Sequence, residues 1–302
     1  MITPPYLKKG DTIAITCPAG FMLKERVKTC VDTLKKQGYK VIVGKTVGGK
    51  SKTYFSGTDN ERMVELQSFL DNKNIKAILC GRGGYGTGRI IDKLNFTKLI
   101  QHPKWVIGFS DITILHSHIV SNYNIATLHA PMAAAFANDA HNPENVITLL
   151  NALKGEKSNY KIKPYTLNKL GEAKGKLIGG NLALLANAIG TVSGINTKNA
   201  ILFIEDIGEQ LYAVDRMMYQ LKRTGKLKNL AALIVGDFTD IQNTDKPFGK
   251  TIYEIINDIV AEYNYPVCYN FPVGHGNENR ALKVGVRYTL TVNKSGVELI
   301  EN

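Results

Sequence analysis

Short apolar runs alternate with stretches of helical spacing through the first half of the 302-residue chain. Apolar residues recur at helical spacing from Leu23 to Leu34, and Gly38 supplies a stop. The strand candidates in this half are Thr12–Thr16, Tyr39–Val43, Ile75–Cys80, the run that starts at Trp105, and Ile125–Leu128. Strands that alternate with helices at this rhythm predict an α/β fold: a doubly wound, mostly parallel sheet with helices on both faces.

The alternation loosens after about residue 150. Residues 154–174 are polar and rich in lysine, which is typical of a crossover between domains. Further strand candidates are Ala200–Ile204, Ala231–Val235, Val267–Phe271 and a terminal hairpin of Lys283–Val292 with Val297–Ile300. We therefore expect an N-terminal α/β domain over 1–153, a linker over 154–174, and a second domain over 175–302.

The apolar run from Trp105 ends at Ser110, and helical spacing follows. A serine between a strand and a helix can occupy a sharp turn that exposes its hydroxyl, as in a nucleophile elbow. The next backbone N–H groups then point at charge that develops beside it. Ile112 occupies the place of the second glycine in G-x-S-x-G, so a simple helix N-cap is an equal interpretation.

A glycine-rich loop, Gly81–Gly88, follows the strand that ends at Cys80. It matches neither G-x-x-x-x-G-K-[ST] nor G-x-G-x-x-G, which argues against a nucleotide site. Because bare glycine backbone approaches a ligand closely, the loop can supply the N–H donors of an oxyanion hole. Within it, Arg82 is either a bidentate partner for a carboxylate or half of a surface ion pair.

Acidic and histidine side chains follow later strands. Glu205 and Asp206 end an apolar strand, where carboxylates either favour a helix N-terminus or orient a histidine. His275 follows another strand between two glycines, which allows its ring to project into a cleft; an exposed loop histidine is the alternative. Ser110, Glu205 and His275 thus form a candidate serine–carboxylate–histidine trio, a constellation that geometry defines and chain order does not.

Bulk composition narrows the function classes. The formal charge is +12, but the lysines are scattered, which favours a solvated lysine face over a nucleic-acid surface. The four cysteines form no C-x-x-C pair, so neither a zinc site nor a disulfide framework is expected. No apolar run approaches a membrane span, and the first ten residues lack the plan of a secretory signal, so we expect a cytoplasmic location.

Four motifs in one order carry a family resemblance. They are Gly81-Arg82-Gly83-Gly84-Tyr85-Gly86, Gly108-Phe109-Ser110-Asp111, Glu205-Asp206-Ile207-Gly208-Glu209 and Gly274-His275-Gly276, with Leu7–Asp11 and Pro18–Gly20 in support. Together they resemble the LD-carboxypeptidases, serine peptidases that trim murein tetrapeptides. The resemblance runs from Leu7 to the final hairpin; the one departure is Cys17, where a small residue such as alanine is common.

The resemblance implies that Ser110 is the nucleophile, His275 the general base and Glu205 the residue that orients the imidazole. Family members pair an N-terminal α/β domain with a smaller β-rich C-terminal domain, and their active site lies between the two. The resemblance thus implies a smaller, β-rich, barrel-like α+β domain over 175–302. Family members are typically cytoplasmic homodimers that act in cell-wall recycling. Neither a metal nor another cofactor is implied.

The resemblance also implies an oxyanion hole formed by the backbone N–H groups of Gly84 and Asp111, with Gly83 as the neighbouring choice. A carboxypeptidase must grip a free carboxylate, and we expect Arg82, with Gly83 and Tyr85, to contact the substrate.

The leading hypothesis is hydrolysis of the L,D-peptide bond to the terminal D-alanine of murein tetrapeptides. An immunity-type peptidase that cleaves a peptidyl- or aminoacyl-nucleotide antibiotic is the alternative, which an aromatic residue stacking on the base would favour. A non-catalytic protein for small acidic ligands is a hypothesis of a different class. No nucleic-acid or membrane partner is expected, and a homodimer is.

Overall fold

The computed structural model describes residues 1–49, 51–137 and 143–302. The strands are β1 (Thr12–Thr16), β2 (Lys40–Val43), β3 (Ile75–Cys80), β4 (Trp105–Gly108), β5 (Thr127–His129), β6 (Asn159–Ile162), β7 (Gly171–Asn181), β8 (Ala200–Ile207), β9 (Ala232–Thr239), β10 (Val267–Cys268), β11 (Leu282–Val284), β12 (Arg287–Asn293) and β13 (Gly296–Glu301). The α-helices are α1 (Lys28–Lys36), α2 (Asp59–Asp71), α3 (Thr97–Gln101), α4 (Thr113–Tyr123), α5 (Glu144–Lys154), α6 (Leu182–Asn187), α7 (Leu211–Arg223) and α8 (Ile252–Val260). Within these ranges, no helix is both long and apolar enough to cross a bilayer.

The first sheet has the strand order β11-β5-β4-β3-β1-β2. Strands β1 to β5 are parallel, and β11 from the C-terminal part of the chain pairs antiparallel with β5. Successive side chains of a strand point to opposite faces, so Ile13 and Ile15 share one core cluster with residues of α1 and α5. Ala14 lies in another cluster with residues of α2, α3 and α4. The prediction of a doubly wound sheet with helices on both faces is confirmed.

The second sheet has the strand order β10-β9-β8-β7-β12-β13-β6. Strands β7 to β10 are parallel and are connected in turn through α6, α7 and α8. Strands β12, β13 and β6 continue the sheet in antiparallel pairing. The C-terminal part is therefore rich in strands, as expected, and its parallel strands are joined by βαβ crossovers.

Parts of the segment 154–174 belong to this second sheet. Strand β6 pairs with β13, and β7 begins at Gly171 beside β12. The middle segment of the expected division therefore contains paired strands. The division itself, into 1–153, 154–174 and 175–302, stays a prediction.

The expected strand Lys283–Val292 is wrong in one respect, because it is two strands. Gly285, with φ +96°, separates β11 from β12 and sends them to different sheets. Continuous apolar alternation hides this break in the sequence, and a glycine is the residue that tolerates such a φ.

A buried ion pair joins the two sheets. Lys283 Nζ on β11 lies 2.8 Å from Glu301 Oε1 on β13, and both side chains are almost fully buried. Lys283 Nζ also donates to the Glu156 carbonyl, while the Ser158 N–H donates to Glu301 Oε2. The remaining polar atoms of the pair are thus largely satisfied, which a buried pair requires.

Candidate active site

Ser110 lies in a sharp turn between β4 and α4. Its φ is +61°, in the left-handed region that a residue with a Cβ rarely adopts. A helix N-cap instead has an extended backbone and a side chain that accepts from the first turn; here Phe109 holds that place, without a side-chain cap. A Cβ on Gly108 would lie 2.8 Å from Ile112 Cγ1, so glycine at 108 lets Ile112 pack over the strand end. Ser110 therefore has elbow geometry although the second glycine is missing.

Glu205 and His275 form a hydrogen-bonded pair. The His275 Nδ1 atom lies 2.6 Å from Glu205 Oε2; the carboxylate is fully buried and the imidazole is 13% exposed. Burial opposes the charged imidazolium, but the hydrogen bond and charge of Glu205, with Asp206 and Asp237 beyond, raise the pKa of His275 above its usual value. When Nδ1–H donates to the carboxylate, Nε2 carries the free lone pair.

His275 reaches the elbow from the second sheet. Its ring packs against Phe109, the residue before Ser110, with ring centroids 4.8 Å apart. No hydrogen bond joins Ser110 to His275 in the described ranges. Catalytic hydrogen bonds are often long before substrate is bound, so the absence of this bond is compatible with a serine–histidine pair.

The glycine-rich loop lies directly against Ser110. A Cβ on Gly83 would lie 2.9 Å from Ser110 Cβ and 3.0 Å from its Oγ, closer than a side chain tolerates. Gly84 follows with φ +96°, and the Gly20 N–H donates to the Gly83 carbonyl at 3.0 Å. The loop thus brings bare backbone to the place where an oxyanion hole is expected.

Two buried charged side chains fasten this loop from behind. Asp111 Oδ2 accepts from the Thr87 N–H at 2.8 Å, and burial raises the pKa of the Asp111 carboxyl despite this bond. Arg62 on α2 donates to the carbonyls of Pro18 and Gly86. Arg62 was missed from the sequence, because its partners are backbone carbonyls of distant loops and leave no motif.

Asp206 supports a helix. Its Oδ1 accepts from Asn181 Nδ2 at 2.7 Å, and its Oδ2 accepts from the Ala183 N–H at 2.9 Å in the first turn of α6. Burial, with a contribution from neighbouring Glu205, raises the pKa of Asp206 to about 6. The two roles considered for these carboxylates are therefore divided: Asp206 faces a helix N-terminus, and Glu205 faces a histidine.

Arg82 and Tyr85 lie at the exposed rim of the loop. The Arg82 guanidinium donates to the Phe21 carbonyl at 2.8 Å, so one Nη is occupied by the protein itself. Tyr85 is 53% exposed, with its ring 6.0 Å from that of Phe55. Their contact with substrate stays a prediction.

Two further histidines are fully buried near the elbow. His116 Nε2 lies 2.8 Å from the Gly108 carbonyl, and burial lowers the pKa of His116 to about 4. His129 packs edge-on against Phe203, and burial lowers its pKa well below the usual value. Both are therefore neutral core residues. Among the described residues, no group of three or more His, Cys, Asp or Glu is placed to hold a metal ion.

Comparison with known proteins identifies the family. A model of the LD-carboxypeptidase N-terminal domain matches residues 13–130, and a model of the LD-carboxypeptidase C-terminal domain matches residues 174–290. The chain belongs to the LD-carboxypeptidase family. It is accordingly a serine-type carboxypeptidase.

Individual members of the family resemble the chain over almost its whole length. The probable murein peptide carboxypeptidase of Bacillus subtilis is 33% identical over 97% of this chain and 93% of that protein. The muramoyltetrapeptide carboxypeptidase of Oxalobacter formigenes has a TM-score of 0.87 at 27% identity, covering 96% of this chain and 99% of the other. The microcin C7 self-immunity protein MccF of Escherichia coli is 26% identical over 98% of this chain and 94% of its own length.

Proposed function

We propose that this enzyme hydrolyses the L,D-peptide bond to the terminal D-alanine of murein tetrapeptides, with Ser110, His275 and Glu205 as its catalytic triad. The observation that carries the proposal is the 2.6 Å hydrogen bond of Glu205 to His275 beside a serine in elbow conformation. A buried carboxylate that holds Nδ1–H fixes the imidazole tautomer that a general base needs. Relatives named as murein peptide and muramoyltetrapeptide carboxypeptidases support the substrate class.

Acylation is the first half of the proposed reaction. Ser110 Oγ attacks the carbonyl carbon of the residue before D-alanine, while His275 Nε2 takes the hydroxyl proton. The oxyanion is bound by the backbone N–H groups of Gly84 and Asp111, each worth about 3 kcal/mol if it resembles other such donors. His275 then protonates the leaving nitrogen, and D-alanine departs from an ester on Ser110.

Deacylation repeats the sequence with water. His275 takes a proton from the water that attacks the ester carbonyl, and the same two N–H groups bind the second oxyanion. Collapse of this intermediate returns the proton to Ser110 Oγ and releases the tripeptide. The Glu205 side chain stabilises the imidazolium that forms twice in each turnover.

Mass spectrometry of a defined tetrapeptide tests the proposal. We expect the wild-type enzyme to remove one alanine residue, and the Ser110→Ala variant to remove none. A tetrapeptide with a terminal L-alanine is the matched substrate control and should remain intact. If the wild type releases D-alanine no faster than Ser110→Ala, the proposal fails.

MccF, whose solved structures include complexes with aspartyl sulfamoyl adenosine and glutamyl sulfamoyl guanosine, suggests a second candidate substrate, an aminoacyl-nucleotide. Trp105, the one tryptophan of the chain, is fully buried and stacks on Tyr6, so its ring is not available to a base. An acyl-sulfamoyl adenosine should therefore be cleaved more slowly than the tetrapeptide when the two are assayed in parallel. Cleavage of the adenosine alone would replace our choice of substrate.

On the same family resemblance, we propose that the enzyme works as a cytoplasmic homodimer in the recycling of cell-wall peptides. Light scattering of the purified protein should give the mass of two chains, and fractionation of cells should place the activity in the cytoplasm. A monomer at micromolar concentration, or activity in another fraction, would contradict the corresponding part.

A further inference from the structure

The loop that carries His275 is held by a side chain from the other half of the molecule. Asn145, in the first turn of α5, donates from Nδ2 to the Asn277 carbonyl at 2.9 Å. Its Oδ1 accepts from the Asn279 N–H at 2.8 Å. One buried carboxamide thus pairs with the loop backbone at two points, as a neighbouring strand would.

The contact continues from Asn279 to the catalytic histidine. The Asn279 side chain accepts, through its own Oδ1, from the Gly274 N–H at 3.3 Å. Gly274 directly precedes His275 and has φ +138°, and a Cβ there would lie 3.2 Å from Glu205 Cβ. Each link between Asn145 and the imidazole is therefore a hydrogen bond or a covalent neighbour, with little free space around it.

The position of α5 connects this contact to the strand before Ser110. Leu149 and Leu153 of α5 share a core cluster with Ile107 of β4, the strand that leads into Ser110. Asn145 therefore connects the His275 loop, through α5, to the sheet that positions the nucleophile. Glu205 and Asp237 also contact this segment, but both residues belong to strands of the second sheet.

We propose that Asn145 is a positioning residue that sets the imidazole of His275 at the correct distance from Ser110. This proposal rests on the proposed triad and adds an unassigned residue to it. In its absence the loop keeps its bond to Glu205 and the ring contact of His275 with Phe109, but residues 277–279 lose their two hydrogen bonds to α5. Proton transfer from Ser110 is then slowed, while peptide binding at the glycine-rich loop is retained.

The variant Asn145→Asp isolates the contact. It keeps the size of the side chain and an acceptor for the Asn279 N–H, but it faces the Asn277 carbonyl with an oxygen in place of a donor. A carboxylate in the first turn of a helix is favourable, so α5 should stay intact. Asn145→Ser, which is too short to span both partners, is the second variant should the first fold poorly.

The rate at which a fluorophosphonate modifies Ser110 reports the Ser110–His275 pair without peptide binding. We expect Asn145→Asp to lower this rate and kcat by about 10- to 100-fold, the usual effect of a misplacement near 1 Å, with KM within about threefold of wild type. Thr148→Val is the matched control: it removes the hydrogen bonds of Thr148 Oγ1 to the Ala281 N–H, six residues beyond His275, and to the Asn145 carbonyl, but leaves both side-chain contacts of Asn145 in place. Its labelling rate should stay near that of wild type even if its melting temperature falls.

Two results would overturn the role of Asn145 alone: an Asn145→Asp labelling rate within threefold of wild type, or an equal loss of labelling in Thr148→Val. Those results require that wild-type Ser110 is labelled and Ser110→Ala is not. If the wild type is not labelled at Ser110 either, the triad itself fails, and the role of Asn145 fails with it.

Discussion

Ser110 holds a backbone conformation that costs about 1–3 kcal/mol for a residue with a Cβ. Packing of Ile112 over Gly108, and of Gly83 against the serine, maintains it. Such strain is found where a fold must present a side chain in one direction, and here it turns the hydroxyl toward the loop of Gly83 and Gly84.

Relief of this strain is measurable. Ser110→Gly and Ser110→Ala should both abolish D-alanine release, but glycine accepts a positive φ without a steric penalty. We expect Ser110→Gly to be more stable than Ser110→Ala by about 1 kcal/mol in urea-induced unfolding. Equal or lower stability of the glycine variant would show that the elbow is not strained.

The pH dependence belongs to His275. Because its pKa is raised above 6.5, kcat/KM should fall with decreasing pH through a value above 6.5, where the base becomes protonated. Glu205→Gln removes the two largest raising effects and leaves burial with the weaker effects of Asp206 and Asp237, so the pKa of His275 should drop and kcat should fall on the order of 1000-fold or more. NMR titration of the imidazole in both proteins measures the shift; an unchanged pKa in Glu205→Gln would contradict the pairing.

At the residue scale, the candidate residues could be named from the sequence, but their backbone conformations and hydrogen-bond partners could not. Strand–serine–helix describes an N-cap and an elbow equally, and φ alone separates them. Glu205 and Asp206 are adjacent and chemically alike, so their different partners emerge only when β8 is placed. Arg62 and Asn145 bind backbone groups of distant loops, which no residue pattern records.

At the scale of elements, hydrogen bonds from outside the glycine-rich loop hold its backbone in place. It is bound by Arg62 on one side and by Asp111 on the other, although its own residues are small. Its position after β3 follows from the sequence, because parallel strands end at one edge of their sheet. The hydrogen bonds that hold the loop do not follow from the sequence, because they depend on the positions of α2 and of the turn at Pro18.

Gly83→Ala tests the close approach of the loop to the nucleophile. The added Cβ would lie 2.9 Å from Ser110 Cβ, so the loop or the serine must move. We expect kcat to fall by about 100-fold in the tetrapeptide assay. Gly88→Ala, in the same loop with nothing within 4 Å of the added atom, should retain wild-type activity. Similar losses in both variants would refute the steric explanation.

At the scale of the whole molecule, the chain crosses between the two sheets more than once. The chain passes from the first sheet to the second after α5, and β11 returns to the first. The α/β class was predictable because its strands and helices each have a clear period. The return of β11 was not, since three apolar residues beside Gly285 look like part of β12.

Removal of one partner from the buried pair of Lys283 and Glu301 should destabilise this arrangement strongly. Lys283→Met leaves the Glu301 carboxylate buried without its cation, and we expect a loss of about 3–5 kcal/mol in unfolding free energy. The double variant Lys283→Met, Glu301→Gln removes the stranded charge and should recover part of that loss. A double variant no more stable than Lys283→Met would show that the charge is not the cause. Urea titration of the two proteins decides between them.

The return of β11 also bears on how the protein is made. Until the ribosome has synthesised residues 282–284, β5 lacks the strand that covers its outer edge. Open edges of this kind recruit strands from other chains, and nascent multidomain proteins are vulnerable to such mispairing. Completion of the N-terminal sheet therefore requires residues 282–284, which follow β6 to β10 of the second sheet in the chain, so the half that contains Ser110 is finished only after most strands of the other sheet have been synthesised.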